Sequence, residues 1–379
     1  IRRQRQMCIR DRFTAYYNPS CKIVDIYFRF MEVQTKILFL YPLPVKNITG
    51  GHKYENRLRT VLSEKFNLKV KSLFAYDNLS TFDKIIAPFK ALSLLKGLRR
   101  NELVVFNSTT GMYFLFLINI LRMCGYKTAV IHHHYLAQEF TGRKGKIYGF
   151  VEKSFLRAAS HIITPSPYVK DLISRQLKRD AALIPIPFSA PKQVKAAPKE
   201  GQLLYIGTIE PRKGLDYLID SLIKLDDNTR YKLHIIGKIS NQDYYEALSD
   251  KISRHHLSVI FHGYLSDEEM SKVISESDVF VFPSLLEGFG MAINEMRFYG
   301  LPVICFDNSA LPYSVTDGVD GILVPDKDSE KLAEAIKTVV NNRSLREKLS
   351  AASFERSKHL TTIEEFSTQG LNIFSGLIQ

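Results

Sequence analysis

Twelve short runs rich in β-branched and aromatic residues, each followed by a helical pattern, constrain this chain more than any other feature. In the first half they are Lys36–Tyr41, Val70–Phe74, Leu103–Phe106, Thr128–Ile131, His161–Thr164 and Ala182–Ile186. In the second half they are Leu203–Gly207, Lys232–Gly237, Ser258–His262, Asp278–Phe282, Pro302–Phe306 and Gly321–Val324. Such alternation is the signature of parallel α/β sheets, because neighbouring parallel strands need a crossover, usually helical, between them. Six runs on each side predict two Rossmann-like domains of similar size. Pro185-Ile186-Pro187 and the Ala-Pro-Lys-rich stretch to about Gly201 read as the linker between residues 31–195 and residues 200–361.

The first thirty residues stand apart. Met7-Cys8-Ile9-Arg10-Asp11-Arg12 resembles the conceptual translation of a sequencing-library adapter. Translation is expected to start at Met31, with residues 13–30 as upstream read-through.

Charge separates the halves. Residues 31–200 hold 27 Lys/Arg against 11 Asp/Glu, and residues 201–379 hold 18 against 26. The basic half suits an anionic substrate, nucleic acid or an anionic lipid surface, and charge alone does not choose among them. No apolar run reaches the roughly 18–20 residues of a membrane span; the longest, Met112 to Leu121, reads as a buried helix. Four cysteines without paired spacing point to free thiols in a reducing cytoplasm.

In doubly wound sheets ligands bind at the carboxyl ends of strands. Here the glycine-rich and polar turns follow strands: Gly50-Gly51 after the first, Asn107-Ser108-Thr109 after the third, and His132-His133-His134 after the fourth. Thr208 to Gly214 and Pro283 to Gly290 follow strands of the second half. The most informative stretch is Phe280 to Gly300. A buried strand leads through Pro283-Ser284 into the corner Glu287-Gly288-Phe289-Gly290, and a helix starts near Met291 and stops at Gly300. A strand, a glycine corner and a helix N-terminus make an anion site. Glu287 and Glu295 bracket it. If the eight residues Gly288 to Glu295 were mostly helical, the two carboxylates would lie roughly 12 Å apart along the axis. That is too far for a glycosidase pair, which needs about 5–10 Å. It suits a ligand anionic in the middle with hydroxyls at both ends, such as a nucleotide-sugar.

Phe282-Pro283-Ser284, Glu287-Gly288-Phe289-Gly290, Glu295 and Gly300-Leu301-Pro302-Val303 resemble the signature of retaining glycosyltransferases of family 4, the glycosyl transferases group 1. The likeness covers most of residues 200–330; in the first half it rests on Gly50-Gly51 and the histidines. It implies the GT-B fold, two Rossmann-like domains facing each other across a cleft, with the last helix, about Thr362 to Ile378, crossing back to the first domain. It implies transfer of a sugar from a UDP- or GDP-sugar to a saccharide or lipid-linked acceptor, with retention and without a metal or other cofactor. Carried over by position, Glu287 would contact sugar hydroxyls, Gly288, Phe289, Gly290 and Met291 the sugar and phosphate side, and Glu295 the ribose. Lys213 would neutralise the leaving diphosphate, the largest electrostatic demand of the reaction. The arginine common five residues earlier is Thr208 here, and Arg212 is expected to substitute. Either His132 or His133 fits the family's histidine near the donor sugar, where a neutral imidazole could hydrogen-bond the sugar or assist the acceptor. Gly50 and Gly51 permit positive φ and close backbone approach beneath the phosphates, or form a plain turn.

Two places depart from the pattern. Glu295-Met296-Arg297-Phe298 replaces a Glu-Ala-Met-Ala run, and Tyr313 stands where a later turn carries glutamate. Three adjacent histidines on a strand alternate faces and do not make a metal set. The expected partners are therefore a nucleotide-sugar, an acceptor and an anionic membrane surface touched by the basic Arg143–Lys146 and Lys96–Arg100 clusters, with no nucleic acid. The expected location is cytoplasmic, at the inner membrane face. Ser108 or Thr109 is expected to cap the following helix. An epimerase or hydrolase on the same fold, and a non-catalytic sugar-nucleotide or lipid scaffold, are the rival readings.

Overall fold

The computed structural model describes residues 35–41, 50–74, 80–93, 98, 100–108, 111–191, 198–225 and 230–378. Residues 1–34 lie outside these, as do Thr109 and most of the Lys96–Arg100 cluster.

The chain forms two six-stranded sheets. The first contains β1 (Thr35–Tyr41), β2 (Asn67–Ser72), β3 (Leu103–Asn107), β4 (Thr128–Ile131), β5 (His161–Thr164) and β6 (Ala182–Leu183). The second contains β7 (Gln202–Ile206), β8 (Lys232–Ile236), β9 (Val259–Gly263), β10 (Val279–Phe282), β11 (Val303–Phe306) and β12 (Gly321–Val324). Their orders are β2-β1-β3-β4-β5-β6 and β12-β11-β10-β7-β8-β9, and all pairs are parallel. The strand order reverses between β1 and β3 in one sheet and between β7 and β10 in the other. Those are the points where crossover helices leave on opposite faces and open a crevice at the strand ends.

Central strands are buried on both faces, as covered parallel strands must be: β3, β4, β10 and β11 are buried throughout. The edges differ from the sequence pattern. β2 begins three residues before Val70 and ends before Leu73, because its ladder to β1 runs from Asn67 to Ser72 and apolar content does not set its ends. β6 stops at Leu183, since Pro185 and Pro187 have no N–H to extend a ladder. The apolar run Met112 to Leu121 lies in the helix Gly111–Met123, whose Phe114, Leu117, Ile118 and Leu121 form one fully buried stripe at helical spacing.

The last helix, Ile363–Ile378, buries Phe366 and Phe374 against the first sheet's layer of Ile37, Phe39, Tyr54 and Leu58. Thr362 and Glu365 cap its start reciprocally, Glu365 accepting from the Thr362 amide at 2.8 Å and Thr362 Oγ1 from the Glu365 amide at 3.1 Å. Its side chains join one domain's core after the chain has completed the other.

Candidate active site

In the second domain the turn after β7 and the turn after β10 interlock. The first carries Pro211–Lys213 as a single 3-10 turn ending at Gly214, whose φ is 64°. A Cβ on Gly214 would collide with the carbonyl oxygen of Pro283. Only glycine allows this approach, and it brings Lys213 beneath the second turn. Lys213 Nζ lies 2.5 Å from Glu287 Oε1, both side chains largely buried. Ser284 Oγ donates to the same oxygen at 2.7 Å, and Ser309 Oγ accepts from the Glu287 amide at 3.0 Å. Burial by itself would raise the Glu287 carboxyl; Lys213, Arg212 and Ser284 outweigh it and hold the group below the usual carboxylate range. Glu287 is thus an ion in a nearly dry place.

Arg212 is oriented by the loop it faces. Its guanidinium donates to the Leu286 carbonyl at 2.8 Å and to Glu210 at 2.6 Å, with Glu139 of the first domain 4.0 Å from Nε.

The corner between Glu287 and Glu295 is only partly helical. The helix is Met291–Arg297, preceded by Gly290 at φ 81°. Glu287 sits in the turn before it, so the helical rise that suggested a 12 Å separation applies only from Met291 onward. Glu295 reaches water, yet protein surrounds it closely enough that burial raises its carboxyl, with Lys53 of the first domain pulling the other way.

The first domain meets this corner directly. A Cβ on Gly288 would lie 2.6 Å from the carbonyl oxygen of His133, and one on Gly50 would lie 2.8 Å from the sulfur of Met291. Phe289 stacks on Phe188 with ring centroids 6.0 Å apart. Gly50 and Gly51 adopt no positive φ; they open the helix Gly50–Ser63, and a Cβ on Gly50 would crowd the Met291 sulfur while one on Gly51 would meet the His133 ring at ordinary contact distance.

The three histidines have three surroundings. His132 is fully buried, edge-on to Tyr135 at 4.4 Å, and neither ring nitrogen has a hydrogen-bond partner; burial, with the His134 and His133 charges adding, pushes it down to about 3. His134 faces Glu139 at 3.3 Å. His133 borders the cleft and bonds through Nε2 to Glu55 Oε1 at 2.9 Å.

Glu55 was invisible in the sequence, because it belongs to no motif and its partners lie on distant segments. Tyr41 ends β1 and donates to it at 2.5 Å, and Asn107 ends β3 and donates through Nδ2. Asn107 does lie in one of the turns that follow strands, but nothing in that turn marks it as a carboxylate's partner. Among the described residues the buried Ser108 hydroxyl makes no hydrogen bond, so it caps none of them.

The departures are explained by packing. Arg297 is wholly buried, bonded to Asp320 at 3.0 Å and to the Ser314 carbonyl, so its guanidinium supports the turn carrying Tyr313. Tyr313 donates to Asp171 on the first-domain helix Pro167–Leu177 at 2.7 Å. Where the resemblance leads one to expect a carboxylate, this chain has a contact between domains.

Residues 189–356 match the family model for glycosyl transferases group 1. This segment belongs to that family. O-antigen chain mannosyltransferase B of Escherichia coli is 30% identical over 46% of this chain and 46% of its own length. O-antigen chain mannosyltransferase C of Escherichia coli is 23% identical over 80% of this chain and 83% of its own. The chain spans only about a third to a half of the length of the first curated relatives it matches. Sucrose-phosphate synthase from Thermosynechococcus elongatus superposes with a TM-score of 0.74 at 18% identity, covering 90% of this chain and 99% of that one. HepE of Anabaena, solved with UDP and glucose, superposes with a TM-score of 0.69 at 17% identity, covering 90% and 100%. The fold of this chain is therefore GT-B, two Rossmann-like domains across a cleft.

Proposed function

We propose that this chain transfers a sugar from a UDP- or GDP-sugar to a saccharide or lipid-linked acceptor in cell-envelope polysaccharide synthesis. The observation that carries the proposal is the Lys213–Glu287 pair at the β7/β10 crevice, set against Gly288 and His133 where the two domains touch. A donor's diphosphate would exchange with Glu287 for Lys213, releasing the carboxylate to the sugar hydroxyls. Arg212 adds a second cation, and Glu295 stands at the far end of the corner for the ribose. Lys213 and Arg212 supply the positive charge that a leaving diphosphate needs, which supports a reaction without a metal. A same-face reaction, the departing diphosphate helping to take the acceptor proton, fits a site with no nucleophile opposite Glu287 among the described residues and gives retention. His133 is the histidine we assign to the sugar, since His132 is sealed away.

The test is release of UDP or GDP from a panel of nucleotide-sugars, with and without membrane extract. Release that depends on acceptor supports transfer, and the anomeric configuration of the product decides retention. Interconversion of the sugar alone would make it an epimerase, acceptor-independent release a hydrolase. No turnover of any donor, with binding retained, would leave a scaffold. Glu287→Gln abolishes turnover in a folded protein; an unchanged rate rejects the site.

We also propose that the first domain rests on an anionic membrane at the cytoplasmic face. The helix Gly142–Ala158 presents Ile147 and Phe150, 64% and 70% exposed, beside exposed Arg143, Lys144 and Lys146. Cations flanking exposed apolar side chains are the composition of an interfacial helix. Among the described residues no helix is long and apolar enough to cross a membrane. Cosedimentation with phosphatidylglycerol vesicles that weakens with salt supports this docking; equal binding to neutral vesicles rejects its electrostatic part.

A further inference from the structure

The carboxylate of Glu55 is 1% exposed and lies at the β1/β3 switch point, the first domain's counterpart of the crevice that holds Glu287. Burying a carboxylate costs several kcal/mol unless its oxygens are bonded. Here one oxygen accepts from Tyr41 and the other from Asn107 and His133. Burial acts to raise the group, and His133, Tyr41 and His52 together bring it below the usual range, so it is an ion at neutral pH. Two of its three partners, Tyr41 and Asn107, fasten the helix Gly50–Ser63 to the sheet. The third, His133, also meets this helix, edge-on to Tyr54, but alone among the three it keeps a second polar atom with no partner among the described residues.

An ionised carboxylate only accepts, so the His133 nitrogen facing it must carry hydrogen. The ring is also held in place by Tyr54, edge-on at 5.4 Å and 89°. His133 Nδ1 bonds to none of the described residues and is not sealed from solvent. The backbone of the same residue abuts Gly288, so this ring edge lies at the seam where the two domains meet.

We propose that Glu55 is a positioning residue: it fixes His133 in the Nε2–H tautomer and makes Nδ1 a hydrogen-bond acceptor for one hydroxyl of the transferred sugar. The arrangement is that of a buried carboxylate orienting an imidazole through its far nitrogen. A site built to accept from a hydroxyl rejects a deoxy analogue far more strongly than a merely apolar wall would. Donor selection at that hydroxyl therefore originates in a side chain that touches no substrate. The inference rests on the glycosyl-transfer reading for its chemistry, though the wiring of the ring can be measured without it.

The experiment has two arms. In the first, the full chain is labelled with 15N-histidine, and His133→Gln assigns the His133 signals. The free wild-type protein shows the Nε2–H tautomer, and Glu55→Gln, whose amide can donate or accept, shows a mixture. In the second arm, kinetics use whichever UDP- or GDP-sugar the release assay identifies. Glu55→Gln lowers kcat by about 10–100-fold, while the dissociation constant of the free nucleoside diphosphate, by calorimetry, stays within about twofold. Tyr41→Phe removes a bond from the same carboxylate without touching the histidine; it lowers Tm and leaves the tautomer intact. A wild-type Nδ1–H tautomer overturns the proposal. So does an unchanged kcat in Glu55→Gln, or a loss in Glu55→Gln confined to nucleotide affinity. If the wild type turns over no nucleotide-sugar, the glycosyl-transfer reading fails, and the tautomer arm still decides whether Glu55 sets the ring.

Discussion

Two buried carboxylates lie at equivalent switch points of the two sheets, Glu55 at β1/β3 and Glu287 at β7/β10, and they are wired differently. Glu287 meets a full counter-charge, Lys213, and its side chain keeps 12% of its surface. Glu55 meets a phenol, an amide and an imidazole, and is closed to solvent. Both end below the ordinary carboxylate range against the pull of burial. An accessible ion with a mobile lysine partner can trade that partner for a ligand. A sealed ion with three fixed donors can only hold its neighbours still. The second domain thus supplies the charge and the first supplies the geometry.

The strongest way to break that comparison is Lys213→Ala. It leaves Glu287 charged and uncompensated, at a cost of about 3 kcal/mol, the low end for a broken buried pair. It also lowers kcat by roughly 10²–10³-fold if the lysine meets the leaving diphosphate. Urea melts and initial rates check both. Adding Glu287→Gln should restore most of the stability and none of the activity; restored activity would show that the pair is only structural.

Gly288→Ala tests the seam between the two carboxylates. The new methyl must displace the His133 backbone, so the domains separate locally. A shift of about 1 Å at reacting groups can cost on the order of 100-fold, and kcat/KM should fall that far while Tm hardly moves. An unaffected rate would mean that the seam opens during turnover anyway.

His132 sharpens the comparison from the side of pH. Its folded value, about 3, lies below the ordinary histidine value of about 6.5. As pH falls through 6.5 the unfolded chain takes up a proton that the folded chain refuses. Stability therefore declines with acid, by up to roughly 1.4 kcal/mol per pH unit. The two carboxylates contribute nothing between pH 6.5 and 4.5, because their stabilising effect is lost only as pH falls below the ordinary carboxylate value. Replacing His132 by Phe should make the urea-melt stability fall less steeply between those pH values, with a remaining slope from His234, His262 and His161, which burial also pushes down. An unchanged slope would move the protonation away from His132.

Tyr313→Phe is the mildest change. It removes an exposed bond to Asp171 and should cost less than about 1 kcal/mol. Its value lies in KM: a larger effect on KM than on Tm would make this contact part of cleft closure.

The second domain's half of the site was legible in the sequence because it is local. Strand, turn, Glu287-Gly288-Phe289-Gly290 and helix lie within some twenty residues, and Lys213 sits in one short turn of its own. The strands were legible for the same reason, since a doubly covered strand must be an apolar run. Edges were less so: β2 takes its ends from pairing with β1, which leaves no mark in its own composition.

Alternation alone determined two parallel α/β units, and the stretch Phe280 to Gly300 alone determined a strand, a glycine corner with a carboxylate at its lip, and a helix. Tertiary structure decided that His132 is sealed while His133 and His134 stay open beside Gly288, and that Arg297 supports a turn from inside the core. It also decided that Glu55, fourteen residues from Tyr41, fifty-two from Asn107 and seventy-eight from His133, joins all three. The physical reason is common to these cases. Burial and hydrogen-bond partnership are properties of assembled neighbours, and strands adjacent in a parallel sheet are separated along the chain by whole crossovers.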